Sequence, residues 1–138
     1  LGLGRDPSRT PMAWDASPNA GFSRAEPWLP LHADWRTRNV AGEEHDSASM
    51  LELTRALLRL RRAEPALSVG DYAPVASKDT LLAYERPAGD ARLLIALNLG
   101  PAPVPLPEAA RGGERLLSTL PGAADELRGN EGVIVRLA

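Results

Sequence analysis

The sequence predicts an α+β chain that is mainly β, in which a long loop and one helix precede a C-terminal antiparallel β-sandwich. Three observations carry this. Prolines crowd residues 7–30, where they forbid a regular helix and most central strands. Apolar residues then recur at helical spacing over residues 47–63. After Ser68-Val69-Gly70 the apolar period changes from 3.6 to 2.

Residues 1–46 read as loop. Their densest stretch is Gly4-Arg5-Asp6-Pro7-Ser8-Arg9-Thr10-Pro11-Met12-Ala13-Trp14-Asp15. Arg5 and Arg9 each offer a planar fork of donors suited to a carboxylate or to paired hydroxyls. Trp14 offers a flat apolar face on which a sugar ring can stack. These three are the candidate binding residues. On residue types alone, a salt-bridged structural loop stands as the alternative. Asn19-Ala20-Gly21 has turn chemistry, because Gly takes positive φ without cost and Asn often does. Trp28 and Trp35 read as anchors that pin the loop to the domain beneath; for Trp14, anchor and ligand contact stand equal.

The helix over 47–63 has Asp46, Ser47 and Ser49 as N-cap candidates, and Ser49 with Glu52 forms a capping-box pattern. Met50, Leu53, Leu57 and Leu60 make the stripe, which Leu51 and Leu58 widen to roughly half the circumference. An arc that wide requires something large to pack on. Arg61 projects near its middle, where a buried cation needs a partner. Pro65 closes the helix.

The strands follow at short intervals. Asp71–Ala76 is the first, Lys78-Asp79 a turn, and Leu81–Arg86 the second, broken by Pro87-Ala88-Gly89-Asp90. Arg92–Leu99 is the third, and Leu93, Leu94, Ile95, Ala96 and Leu97 imply burial on both faces. Gly100–Pro107 reads as an edge or connection with Val104 and Leu106 on one side. Glu114–Thr119 and Gly132–Leu137 complete the set, with Pro121–Asn130 between them as a polar loop. Short antiparallel strands with turn signals between them argue a sandwich.

Composition narrows function by exclusion. A net charge of −2 gives no electrostatic case for nucleic acid or an anionic membrane. Zero cysteines exclude a disulfide framework and a thiolate metal site, and fit a cytoplasmic location. No apolar run approaches ~20 residues and no signal peptide is visible. His32 and His45 lack partners at metal-ligand spacing and read as solvated surface. There is no glycine-rich phosphate loop, zincin pattern or nucleophile elbow, so neither a metal nor a cofactor is expected. The chain starts at Leu1, with Gly2 and Gly4 close behind, and is expected to be part of a longer protein.

The Gly4–Asp15 stretch resembles the signature found late in α-glucosidases and oligo-1,6-glucosidases of the α-amylase clan of glycoside hydrolases. Trehalose synthases and sucrose isomerases of that clan carry close relatives of it. The resemblance continues through Asn19-Ala20-Gly21-Phe22-Ser23, Pro27-Trp28-Leu29-Pro30-Leu31 and Asn39-Val40. It runs on into Ser49-Met50-Leu51, Leu60-Arg61-Arg62 and Pro65-Ala66-Leu67-Ser68-Val69-Gly70. The departure in the core signature is Ala13, where relatives usually have Gln.

The resemblance implies that residues 1–68 are the end of a catalytic (β/α)8 barrel, with signature loop 1–46 and final helix 47–63, and that 69–138 are the C-terminal sandwich. It implies retaining hydrolysis of α-glucosidic bonds in malto- or isomalto-oligosaccharides. Such chemistry needs two carboxyl groups about 5–5.5 Å apart, which in the clan sit on barrel strands preceding this signature. No catalytic residue is therefore expected here, and the chain alone is expected to be inactive. Its implied partners are an α-glucoside oligosaccharide in the intact enzyme and the upstream barrel domain.

In the resembled enzymes an arginine of the Arg-Asp-x-x-Arg-Thr-Pro signature pairs with an aspartate from an early barrel strand and holds the non-reducing-end glucose by its 4-hydroxyl. Arg9 is the first choice for that role and Arg5 the second, the other being structural and paired to Asp6 or Asp15. The alternatives are a non-catalytic carbohydrate-binding or structural β-sandwich module and, within the clan, a trehalose synthase or sucrose isomerase.

Overall fold

A computed structural model describes residues 4–75, 78–122 and 125–138. They fall into two compact units, Leu1–Leu53 and Thr54–Ala138. The first holds short 3-10 turns at Asp6–Ser8 and Pro18–Gly21, a four-residue helix α1 (Val40–Glu43), and the first turn of helix α2 (Met50–Ala63). The expectation of loop throughout 1–46 is therefore corrected at α1, which is too short to show a periodic stripe.

The start of α2 follows its capping pattern, with an addition. Ser49 Oγ accepts from the Glu52 amide at 3.2 Å, and Glu43 Oε2 accepts from the Leu51 amide at 3.1 Å. Ser49 Oγ also donates to the Glu43 carbonyl at 2.8 Å. A carboxylate at a helix N-terminus satisfies an orphan N–H and complements the dipole. Asp46 is spent elsewhere: its Oδ1 accepts from the Ala48 amide at 2.9 Å, an Asx turn ahead of the helix.

In the second unit α2 ends at Ala63, two residues before Pro65, and Pro65 caps a further short helix α3 (Ala66–Val69). Seven strands follow: β1 (Ala73–Pro74), β2 (Leu81–Ala88), β3 (Ala91–Asn98), β4 (Val104–Pro105), β5 (Glu114–Ser118), β6 (Glu126–Leu127) and β7 (Gly132–Arg136). Five form one sheet in the order β1-β2-β3-β7-β5, and β4 pairs with β6 in a second. All described pairings are antiparallel, as the sandwich reading requires. A 3-10 turn at Glu108–Ala110 lies between β4 and β5.

Strand β3 is buried on both faces, and each face has its own core. On one side Leu94, Ala96, Val133 and Val135 of the large sheet pack with Leu106, Ala110 and Leu127. On the other Leu93, Ile95 and Ile134 pack with Ala66, Leu60 and Leu67. Strict alternation on β3 and β7 sends neighbouring residues to opposite cores.

Four readings of this region are corrected. The first strand is only Ala73–Pro74; Ala76, in its expected range, lies outside the described residues. Strand β2 does not break at Pro87 but runs to Ala88, where Gly89, at φ 57, opens the two-residue hairpin loop to β3. Proline is tolerated because β1 pairs only with Tyr84 and Glu85, so no further strand needs an N–H from Pro87 on the outer edge. The polar loop 121–130 contains β6, and Leu127 is fully buried. Arg61 is exposed, between Leu57 and Leu58, which are exposed too, so it needs no buried partner in this chain.

The sheet unit is closed by a buried polar network. Glu131 is 1% exposed. Its Oε2 accepts from the Arg128 amide at 2.8 Å and from Arg128 Nε at 3.0 Å. Its Oε1 accepts from Arg128 Nη2 at 2.9 Å and from Ser118 Oγ at 2.6 Å. Beside it Asn98 Nδ2 donates to the carbonyls of Ala102 and Arg128, while Asn98 Oδ1 accepts from Thr80 Oγ1 and the Gly100 amide. The Arg128 guanidinium, helped by the Ser118 hydroxyl and the Arg128 amide, outweighs burial and holds the Glu131 carboxyl down to about 2.

A carboxyl held below its ordinary pKa of 4.5 contributes stability that is complete above that value and is lost as pH falls through about 2. Unfolding by denaturant should therefore show Glu131→Gln destabilised at pH 7 by on the order of 3 kcal/mol, with the gap to wild type narrowing at pH 3. A gap independent of pH would show that the carboxylate charge is not what the network uses.

Candidate functional site

The candidate site is the Gly4–Asp15 stretch, and its geometry follows from its prolines and its short polar side chains. Arg5 precedes the 3-10 turn Asp6–Ser8 and Arg9 follows it. Both the amide and the hydroxyl of Ser8 donate to the Arg5 carbonyl, at 3.1 and 2.9 Å, and the Arg9 amide donates to the Asp6 carbonyl at 3.0 Å. The two guanidinium-bearing residues thus flank one tight turn. Both are exposed, and among the described residues neither makes an ion pair. The salt-bridged loop, and the pairing of either arginine with Asp6 or Asp15, have no counterpart among the described residues.

From Thr10 to Trp14 the chain has no regular secondary structure, with Pro11 and Ala13 buried and Met12 and Trp14 exposed. Trp14 is 51% exposed. Its amide donates to the Ala20 carbonyl at 2.8 Å, and its carbonyl accepts from the Ala41 amide at 2.9 Å. The Ala13 carbonyl accepts from the Val40 amide at 3.0 Å. The first N–H groups of α1, which have no intrahelical partner, are thereby used to hold the signature stretch.

Asn39 organises that contact. Its Oδ1 caps α1 by accepting from the Gly42 amide at 2.9 Å, and its Nδ2 donates to the carbonyls of Trp35 and Arg36 at 2.9 and 3.2 Å. A cleft of about 310 Å³ runs past Thr10, Met12, His32, Arg38, Asn39 and Glu43. On its wall His32 Nδ1 lies 2.7 Å from Asp34 Oδ1, and Arg38 Nε lies 3.2 Å from Asp34 Oδ2. The hydrogen bond from His32 lowers the Asp34 carboxyl below the usual range. His32 is accordingly half-buried and paired, which corrects its reading as solvated surface; His45 is exposed as expected. Trp28 is 87% exposed and pins nothing in this chain, another correction, whereas Trp35 is half-buried with the Arg36 guanidinium 4.2 Å from its ring centroid.

The turn after the signature is left-handed over three consecutive residues: Asn19 (φ 56), Ala20 (φ 58) and Gly21 (φ 65). Asn19 and Gly21 fit the turn chemistry read from the sequence; the left-handed Ala20 does not. Asn19 Nδ2 latches the following segment through the carbonyls of Ser23 and Ala25. Asp15 Oδ1 accepts from the Ser17 amide at 2.8 Å, and hydrogen bonds from the Ser17 side chain and then its amide lower the Asp15 carboxyl below its usual range.

Comparison with known proteins decides the relationship. The family model of the alpha amylase catalytic domain matches residues 2–70, and a domain of unknown function, DUF3459, matches residues 70–135. The chain belongs to the alpha-amylase family. Its relatives in that family include a probable alpha-glucosidase of Rhizobium meliloti (strain 1021), 41% identical over 96 residues, covering 70% of this chain and 17% of the relative. A probable oligo-1,6-glucosidase 3 of Bacillus subtilis (strain 168) is 36% identical over 101 residues, covering 72% of this chain and 18% of the relative. The isomaltulose synthase of Klebsiella sp. LX3 superposes with a TM-score of 0.88 at 31% identity, over 98% of this chain and 26% of that structure. The trehalulose synthase of Pseudomonas mesoacidophila MX-45 gives 0.87 at 32%, over the same shares. The chain thus spans about a sixth of the length of these curated relatives and about a quarter of the solved alpha-amylase family structures.

Within this alpha-amylase family segment Arg5, Arg9 and Trp14 lie within ten residues of one another in the sequence, and all three are exposed. Among the described residues no group of His, Asp and Glu is arranged to hold a metal ion, and no helix is long and apolar enough to cross a membrane. The residues that sequence reading missed are Asn39 and Ala20, which hold the stretch in place, and Glu43, which caps α2. Asn39 had a usable signal, an N-cap residue type directly before apolar Val40 with an acid close behind. Asn39→Ala should destabilise the first unit by about 2 kcal/mol, since it removes a cap and strands two carbonyls. Hydrogen exchange at Val40–Glu43 should then accelerate; unchanged exchange would show that α1 does not depend on its cap.

Proposed function

We propose that the chain is the C-terminal portion of an α-glucosidase-like glycoside hydrolase, residues 1–68 ending its catalytic (β/α)8 barrel and 69–138 forming its C-terminal sandwich. The intact enzyme would hydrolyse α-glucosidic bonds in malto- or isomalto-oligosaccharides with retention, using carboxylates on barrel strands that precede this segment. One observation carries the reading: Arg5 and Arg9 stand exposed on either side of a single turn, among the described residues without an ion-pair partner, in a chain 41% identical to a probable alpha-glucosidase. A guanidinium fork left without a carboxylate in its own segment is free to bond a carboxylate and a sugar hydroxyl together.

In this reading Arg9 holds the non-reducing-end glucose, Arg5 is the second candidate, and Trp14 supplies a stacking face. The geometry of the turn treats the two arginines alike, so kinetics assign the roles. In the full-length protein Arg9→Ala should raise KM and lower kcat/KM on maltose or isomaltose by roughly 2–4 kcal/mol of transition-state binding, and Arg9→Lys should recover only part. Loss with Arg5→Ala but not Arg9→Ala would exchange the roles. Wild-type kcat/KM in both would leave the stretch as scaffold. The 138-residue chain alone should not turn over p-nitrophenyl α-glucoside.

A second reading, isomerisation of sucrose, is favoured by the likeness to isomaltulose synthase and trehalulose synthase over 98% of the chain. Product analysis separates the two: glucose and fructose from sucrose support hydrolysis, and isomaltulose or trehalulose supports isomerisation.

A further inference from the structure

Three consecutive residues in the left-handed region are costly wherever the residue is not glycine. Such strain persists only where the surroundings over-determine it. At Asn19-Ala20-Gly21 they do. Ala20 is fully buried. Its carbonyl is turned back to receive two amides, from Trp14 at 2.8 Å and from Asp15 at 3.3 Å. The space beside Gly21 is filled by the Asp15 carboxylate, which would lie 2.8 Å from a Cβ added there. Asp15 is itself fixed by the Ser17 amide.

The beneficiary is Trp14. Its N–H is held by Ala20 and its C=O by Ala41, yet half of the residue stands open to solvent. A backbone bound on both sides under an open indole is what a stacking face needs, because a rigid aromatic with two χ angles loses little entropy when a ligand lies on it.

We propose that the left-handed turn Asn19–Gly21 is a positioning device that fixes Trp14 as a stacking face for a pyranose ring, with Gly21 the positioning residue. The inference deepens the glucosidase reading and rests on it for the identity of the ligand. Gly21→Ala combines a positive φ with a clash against Asp15, so it should tilt the turn and release Trp14.

The test uses the full-length protein labelled with 5-fluorotryptophan, the Trp14 resonance being assigned by its loss in Trp14→Phe. Gly21→Ala should shift or broaden that resonance and raise KM for maltose about tenfold, with kcat within about twofold of wild type. In a Trp14→Ala background Gly21→Ala should raise KM no further, because both changes remove the same contact. Asp15→Ala, which keeps Gly21 but removes its packing partner, should move the resonance in the same direction if Gly21→Ala fails to fold. Gly132→Ala, crowding Leu97 in the sheet unit, controls for general loss of stability and should leave KM unchanged. A Trp14 resonance unaltered by Gly21→Ala and Asp15→Ala overturns the proposal, as do KM effects of Gly21→Ala and Trp14→Ala that simply multiply. A wild-type protein that acts on no α-glucoside overturns the glucosidase reading alone, and the resonance still decides whether the turn holds Trp14.

Discussion

The sheet unit depends on one carboxylate. Glu131 lies fully buried where the loop after β6 enters β7, and its two oxygens gather Arg128, Ser118 and the Arg128 amide. The Glu131 carbonyl also accepts from the Asn98 amide at 2.8 Å, so the residue that closes the loop begins the central pairing of β3 with β7. Removing Arg128 would strand the buried Glu131 carboxylate in low dielectric, which is costly even where the pair adds little net stability. With the network intact, Arg128 is held in place and the preceding Leu127 sits in the core. Two strands as short as β4 and β6 would otherwise have little to hold them together.

Among its described residues the first unit has no sheet, and its backbone groups are satisfied by a different device. Asn39 caps α1, Glu43 and Ser49 cap α2, Asp15 and Asn19 close the turns ahead of α1, and the open N-terminus of α1 serves the signature stretch. Each of these is a short polar side chain answering a main-chain group that the prolines and the lack of strands leave unpaired. A loop so constructed is specific in shape without a large apolar core. That is a suitable platform for groups, such as Arg5 and Arg9, that must reach outward.

Legibility in the sequence tracked the range of the interactions. The helix at Met50–Ala63 was visible because its leucines repeat and Ser49 and Pro65 bracket it. Strands β2, β3, β5 and β7 were visible because apolar alternation reports burial directly. Pro87 misled because proline reads as a break, while its tolerance depends on how far the neighbouring strand extends, a tertiary fact. Leu127 was hidden in polar surroundings, and the Glu131–Arg128 pair looks like any two surface charges three apart. Arg61 was placed at the centre of a buried arc because periodicity shows which face is apolar but not whether this segment covers it. At the candidate site the residue types were plain, but the left-handed Ala20 was not, since alanine carries no local mark of a strained φ.

The short, proline-bearing edge of the large sheet has a consequence of another kind. Strand β1 pairs with β2 at two positions, one of them opposite Pro74, the amides of Asp71 and Val75 bond the Pro87 and Ala83 carbonyls beside it, and Pro87 lies on the same margin. At the far margin β5 carries Glu114 and Arg115 and is irregular between Arg115 and Leu117. Unpaired strand edges invite other chains to add on, and proline, charge and irregularity each spoil the template. A sheet whose central strand is as continuously apolar as β3 would seed fibrils if its borders were flat and open. Here the borders themselves make it a poor seed.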